Sequence, residues 1–415
     1  MNRRHFLQLA AAAALVNPLR LFAKAESTLD PWIPGTLDIH HLAYGRGNST
    51  FLLAPDGTTL LIDAGTNEDP TELSCAQKPN NHVRPGQWIA AYAIRHMQPA
   101  SRHDLDYAIL THLHPDHLGD PGPENPPAPE GNYRLTGISD VDAVLPIRTL
   151  IDRAFPGYAY PTPQTAPYAT NYIAWVRARQ QRHAAVERIQ PGRADQIRPT
   201  QNPAHYPQFQ VRNLAANGEV WTGHGTATRA TFPSLNTLAQ ADYPTENMCS
   251  IALRLDYGNF RYYTGGDLTS DTEDTNESWR DIETAVAQAC GPVDVAVADH
   301  HAFFDAMSPN TVRSLRPQDF IIPSWYVGHP SIAPLRRMLS PALDPAPHDV
   351  FATCIMDANR SVNQLFINKL RSQNGHIIVR VAPDGESFRV IVTDNSSDED
   401  RVLLATDPIH CQQRP

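Results

Sequence analysis

From residue 37 onward the chain sets short apolar runs against polar breaks, at lengths suited to strands. Leu37–Ala43, Thr50–Ala54 and Thr59–Asp63 read as strands, with Pro55-Asp56-Gly57 as the turn between the last two. Trp88, Ile89, Tyr92 and Ala93 recur at helical spacing, so Gln87–Met97 is expected to be a helix. Asp106–Thr111 reads as a buried strand. Further strands are expected at Gln210–Leu214, Ser250–Asp256, Phe260–Thr264, Val293–Ala298, Phe320–Pro323, His376–Val381 and Phe388–Thr393, with a helix at Asp281–Gln288. Hairpins and helices alternate with few long parallel units, which predicts an α/β chain of two mixed β-sheets with helices outside.

Proline-rich stretches interrupt this pattern at Gly119–Tyr133 and Phe155–Tyr172. Strand and helix patterns resume on both sides, so they read as loops within an insertion at about 119–210 rather than as linkers. Tyr158, Tyr160, Tyr168, Tyr172 and Trp175 fall there, either as walls of a substrate pocket or as packing for an irregular loop. One domain is expected over residues 30–395, followed by a tail at 396–415.

The first 25 residues stand apart. Arg3-Arg4-His5-Phe6-Leu7, an apolar run over Leu7–Val16 and the small-x-small triplet Ala23-Lys24-Ala25 form a bacterial export signal of twin-arginine type. This places the mature chain in the periplasm or outside the cell, after cleavage near Ala25, with the twin-arginine machinery as a partner. No later segment has 18 consecutive apolar residues, so no other membrane span is expected.

Composition then narrows the partner. The 415 residues carry 34 basic and 44 acidic side chains. Removing the signal takes away Arg3, Arg4, Arg20 and Lys24 and no acid, leaving 30 against 44 and a balance of −14. Lysine occurs only at Lys24, Lys78 and Lys369. Extended nucleic acid needs clustered cations, so a small-molecule substrate is expected instead. The five cysteines are widely spaced and lack C-x-x-C, which argues against a thiolate zinc cluster and against a disulfide framework but allows one bridge.

The chemistry concentrates in Thr111-His112-Leu113-His114-Pro115-Asp116-His117-Leu118, directly after a buried strand. His112 and His114 are two apart, so in an extended segment they face the same side. Pro115 holds His114 extended and favours a helix start, which turns Asp116 and His117 back toward the same space. Three imidazoles and a carboxylate within six residues suit a divalent transition metal, zinc above all, with manganese or iron as alternatives.

This H-x-H-x-D-H hexapeptide resembles the signature of the metallo-β-lactamase-fold hydrolases. Leu60-Leu61-Ile62-Asp63-Ala64-Gly65 is similar to that superfamily's first motif, Tyr263-Thr264-Gly265-Gly266-Asp267 to its Gly-Asp motif, and Val293–Asp299 with His300-His301 to its late metal-histidine strand. Within the superfamily the order of motifs, including Asn247-x-x-Ser250, Gly328-His329-Pro330 and Gly375–Gly385, is similar to the hydrolase domain of DNA-uptake competence channels and related secreted phosphodiesterases. The resemblance implies an αββα sandwich and two metal ions. His112 and His114 would hold one ion, Asp116 and His117 the other, with Asp267 bridging and His300 or His301 completing the second. Asp63 would brace a ligand imidazole.

The sequence departs from the pattern at Asn247, where the superfamily commonly has a third histidine. His224, in Trp221-Thr222-Gly223-His224-Gly225, is a substitute ligand or a solvated loop residue. His329 either protonates a leaving group or shapes a turn. The function implied is an exported hydrolase whose metal-bound hydroxide attacks a small phosphoester, phosphodiester, carboxylic ester or lactone, with Asp116 and His329 as catalytic residues. The alternatives are a nuclease like the DNA-uptake domain and a non-catalytic binding protein with a degenerate site.

Overall fold

The computed structural model describes residues 28–67, 72–272 and 277–414. The proposed export signal lies outside the described residues.

The first half of the chain runs β1 (Leu37–His41), β2 (Thr50–Leu53), β3 (Thr59–Ile62), α1 (Pro85–Met97), β4 (Leu105–Leu110), α2 (Pro115–Leu118), α3 (Gly137–Val144), β5 (Ile147–Asp152), α4 (Pro167–Gln181) and β6 (Ala185–Arg188). The second half runs β7 (Phe209–Ala216), β8 (Glu219–Trp221), β9 (Thr228–Ala230), β10 (Ala252–Tyr257), β11 (Phe260–Thr264), α5 (Ile282–Cys290), β12 (Val295–Val297), α6 (Pro309–Leu315), β13 (Asp319–Ile322), α7 (Ile332–Met338), β14 (Asp349–Ala352) and α8 (Asp357–Ile367). The chain then closes with β15 (His376–Val381), β16 (Ser387–Thr393), β17 (Val402–Ala405) and β18 (Ile409–His410).

These strands form two sheets. One is ordered β17-β16-β15-β1-β2-β3-β4-β5-β6, with β18 also on β16, and the other β14-β13-β12-β11-β10-β7-β8-β9. Their inner faces meet in one apolar core, where Ile39, Ile109, Val379 and Val390 of the first sheet pack with Leu253, Tyr262, Val295 and Phe351 of the second. A second cluster fixes α1, α3 and α4 on the outside of the first sheet through Tyr92, Val141 and Trp175. A third seats α5, α6 and α7 outside the second sheet through Val286, Val312 and Leu335. The expected αββα layering is therefore observed.

The strand directions differ from the expectation. Each sheet has a long parallel half: β3, β4, β5 and β6 in the first and β11, β12, β13 and β14 in the second. Such pairs need crossovers, and helices supply them here. Several are easy to miss in the sequence, since α6 and α7 have only seven residues each and both carry proline.

The proline-rich insertion also carries regular structure. β5, α4 and β6 lie inside residues 119–210 and extend the first sheet. The stretch read as loop up to Tyr172 becomes α4 from Pro167, because proline at the first helical position has its φ already set and no N–H to lose. Tyr158 and Tyr172 both donate to Asp152 Oδ2, at 2.7 and 2.8 Å, and Trp175 is buried. These three aromatics pack the layer. β17 and β18 fall in the stretch read as a tail and pair with β16.

One bridge forms, between Cys75 and Cys354, while Cys249, Cys290 and Cys411 are free and buried. No helix among the described residues is long and apolar enough to cross a membrane.

Candidate metal centre

The parallel halves bring their loops to one edge of the sandwich. β3 and β4 pair with Ile62 opposite Ile109, so Asp63 and Thr111 leave the sheet side by side. β11 and β12 pair with Tyr263 opposite Ala296, which puts Asp267 beside the turn Asp299–Ala302. Functional groups at the carboxyl ends of parallel strands are the common outcome of this topology.

At that edge His114 has the extended conformation expected before Pro115, and Pro115 opens the short helix α2 that carries Asp116 and His117. Two donor groups result. Asp116, His117, Asp267 and His301 converge in one, and His112, His114 and Asp267 in the other, each with donor atoms within 4.8 Å of one another. Asp267 belongs to both. His117 Nε2 lies 3.1 Å from Asp267 Oδ1, and His301 Nε2 lies 3.2 Å from Asp116 Oδ2. His112 Nε2 and His114 Nδ1 are 3.1 Å apart.

The imidazoles are oriented from behind. His117 Nδ1 donates to Asp63 Oδ2 at 2.8 Å, which turns Nε2 toward Asp116 and Asp267. Asp63 is fully buried and also accepts from Thr111 N, Thr111 Oγ1 and Asn48 Nδ2. His301 Nδ1 donates to the Pro323 carbonyl at 2.9 Å. Fixing one ring nitrogen in this way sets the tautomer that leaves the other free as a ligand. Gly65 has its own reason: a Cβ there would come 1.6 Å from the Asp116 carbonyl oxygen and displace the ligand loop.

The electrostatics match a cation site. Burial alone opposes charge on His117, yet the carboxylates of Asp267, Asp63 and Asp116 outweigh it and raise its pKa well above the ordinary histidine value. Burial would likewise raise Asp267, but His117, His301, His112 and His300 hold it well below the usual carboxylate range. His112, buried and next to other imidazoles, is pushed well below its ordinary value. His117 Nε2 and Asp267 Oδ1 are buried atoms with no hydrogen-bond partner. Buried orphan donors of nitrogen and carboxylate type, arranged around a shared aspartate, fit divalent metal ions.

Two face-to-face mixed sheets with helices outside, and an H-x-H-x-D-H loop leaving β4 at their common edge, decide the fold. It is the metallo-β-lactamase-type sandwich. Solved structures similar to it include a putative metal-dependent hydrolase from Parabacteroides distasonis, 13% identical over 76% of this chain and 92% of that one, at a TM-score of 0.34. Others are a metallo-β-lactamase from Cronobacter sakazakii, 13% identical over 62% of this chain and 76% of that one (TM-score 0.29), and the short form of human tRNase Z, 12% identical over 76% and 92% (TM-score 0.29). No protein-family model and no curated protein matches the chain.

Within this metallo-β-lactamase-type sandwich the remaining sequence candidates separate. His224 is exposed in the hairpin turn between β8 and β9 and belongs to neither donor group, so it does not replace the third histidine. Asn247 does reach the site, with Nδ2 3.1 Å from His300 Nε2. His301, rather than His300, joins the group of Asp116 and His117. His329 stacks on His301 with ring centroids 4.8 Å apart and is buried beside Trp325 and Phe303. Burial and the neighbouring imidazoles of His301 and His300 hold its pKa well below the ordinary value. Of the insertion aromatics, the ring of Tyr168 meets His114 edge-on at 6.4 Å.

Sequence reasoning missed three residues. Arg153, at the end of β5, donates its Nε to Glu246 Oε1 at 2.7 Å, and a second contact joins its Nη2 to Glu246 Oε2. Glu246 Oε1 also accepts from Leu113 N at 2.8 Å, tying the ligand loop to the segment of Asn247. Asp305 accepts from His300 Nδ1 at 2.6 Å. The only signal in the sequence was proximity, Glu246 beside Asn247 and Asp305 five residues past His300.

Proposed function

We propose that this chain is an exported, metal-dependent hydrolase of the metallo-β-lactamase superfamily that acts on a small phosphoester, phosphodiester, carboxylic ester or lactone. The observation that carries this reading is Asp267, one buried carboxylate common to two donor groups. Two divalent ions, zinc before manganese or iron, would supply Lewis-acid charge at the scissile group and lower the pKa of water toward neutrality.

The chain's own residues supply the positioning. His117 and His301 are held with Nε2 inward by Asp63 and by the Pro323 carbonyl. Asp116 Oδ2 faces His301 Nε2 at 3.2 Å, and Asp116 is the only carboxylate on the ligand helix. Tyr168 stands beside His114 at the more exposed side of the cluster, where a substrate would approach. His329, against His301, is kept neutral by burial and can give a departing group a hydrogen bond but not a proton. The resemblance to secreted phosphodiesterases favours a phosphoester. The mature balance of −14 and the near absence of lysine favour a small substrate over nucleic acid.

Elemental analysis of the purified chain, followed by a panel of phosphomonoesters, phosphodiesters, lactones and β-lactams, tests this reading. Two metal equivalents and turnover of a small ester are expected. Metal without turnover on any of them would favour a binding protein, and degradation of DNA would favour a nuclease.

Export is supported by the Arg3-Arg4 leader and by the Cys75–Cys354 bridge, which an oxidising compartment permits. Replacing both arginines by lysine is expected to keep the protein out of the periplasm. Unchanged export would rule out the twin-arginine route.

A further inference from the structure

The two donor groups are unequal. That of Asp116, His117, Asp267 and His301 has four donors, while that of His112, His114 and Asp267 has three. The family pattern gives the second group a third imidazole, and Asn247 stands where that histidine would be. Another imidazole within reach of Asp267 would restore it while leaving a position for water.

Asp267 sorts the surrounding histidines by oxygen. Its Oδ1 faces His117 Nε2 at 3.1 Å and His301 Nε2 at 3.5 Å. Its Oδ2 faces His112 Nε2 at 3.6 Å and His300 Nε2 at 3.8 Å. His300 thus lies on the oxygen of the three-donor group, and its Nε2 also meets Asn247 Nδ2 at 3.1 Å, at the vacated histidine position.

The backbone makes this possible. Consecutive residues of an extended chain point to opposite sides. His300, His301 and Ala302 instead have φ of 45°, 53° and 57°, in the left-handed region that side chains other than glycine rarely adopt. His300 N is held by the Gly266 carbonyl at 3.0 Å, one residue before the shared aspartate. Both successive imidazoles consequently face Asp267. His300 Nδ1 donates to Asp305 Oδ1 at 2.6 Å, the carboxylate brace that a ligand histidine commonly has and that Asp63 gives His117.

We infer that His300 completes the metal group of His112 and His114 in place of the absent third histidine, with Asp305 as its positioning residue and the Asn247 amide turning away from Nε2 to admit the ion, so that His300 and His301 serve one ion each. This assignment rests on the metal-hydrolase reading above and gives Asn247 a role other than ligand.

The test is zinc titration of the metal-stripped full chain, with bound equivalents counted by elemental analysis and repeated with cobalt to read coordination from the visible spectrum. Wild type is expected to hold two equivalents and His300→Ala one, with an altered cobalt spectrum. Adding His112→Ala to His300→Ala should remove nothing further, whereas adding His301→Ala should remove the remaining equivalent. Asp305→Asn, which keeps the imidazole, should weaken one equivalent 10- to 100-fold. Should His300→Ala fail to fold by circular dichroism, His300→Gln serves in its place with the same expected loss. Two equivalents at unchanged affinity in the His300 variant, or the reverse pattern in the double variants, overturns the assignment. A wild-type chain that takes up no metal overturns the metal-centre reading and this assignment with it.

Discussion

Asp63 Oδ2 and His117 Nδ1 meet at 2.8 Å with both side chains fully buried, so an aspartate at the end of β3 sets the direction of a ligand imidazole 54 residues later. The contact depends on β3 and β4 being parallel neighbours. Asp63→Asn keeps the size and an acceptor but presents an amide to His117 and removes the charge that stabilises it. It is expected to lower metal affinity 10- to 100-fold, measured by competition with a chelator, with far-ultraviolet circular dichroism unchanged.

The two carboxylates of the centre should behave differently when removed. Asp267 contributes to both donor groups and Asp116 to one. Asp267→Ala is expected to lose both metal equivalents and all activity. Asp116→Ala should lose one equivalent and reduce activity by orders of magnitude, and in neither case should the sandwich unfold. Elemental analysis beside circular dichroism checks both, and normal stoichiometry in either would refute the ligand set.

A buried acid outside the donor groups gives a pH prediction. Burial pushes the Glu283 carboxyl up from 4.5 to about 7, reinforced by Asp281, although the backbone N–H groups of Ser308 and Met307 oppose the shift. A carboxyl raised in the folded state binds more protons there than in the unfolded chain between these two values. Stability from this group is therefore full below about 4.5 and declines as pH rises to about 7, and Asp299, hydrogen-bonded to Glu283 and raised with it, adds to the same slope. Glu283→Gln should flatten that slope. Denaturant midpoints at pH 4.5, 5.5 and 7 measure it, and a parallel slope in the variant would contradict it.

The disulfide fastens the ligand edge. Cys75 N donates to the Trp325 carbonyl at 2.7 Å, and Ser324 Oγ donates to the Cys354 carbonyl at 2.6 Å. The bridge therefore clamps both sides of the segment whose Pro323 carbonyl orients His301. It closes a span of 279 residues, and replacing both cysteines by serine is expected to cost about 2–4 kcal/mol and lower Tm. Metal affinity should fall more than global stability alone accounts for, through loosening of His301.

Near-neighbour features are legible in the amino-acid order. Strands such as Phe260–Thr264 and His376–Val381 match the structure end to end, because each is a short run of mostly apolar, aromatic or β-branched residues, almost wholly buried and bounded by glycine-bearing turns. The hexapeptide from His112 to His117 is likewise local: an extended pair, a proline and one helical turn direct its four side chains to one space. What the sequence left open involved residues far apart along the chain. The parallel halves were hidden by short strands and proline-bearing crossover helices. His301 meets Asp116 across 185 residues, and Glu246 meets Arg153 across 93. Long-range packing is what brings His301 into one group and turns His300 toward the other, leaves His224 at the surface and sets Asn247 against a histidine. Each depends on which loops the sheet order brings to a common edge, and strand order is a property of long-range pairing that local patterning does not encode.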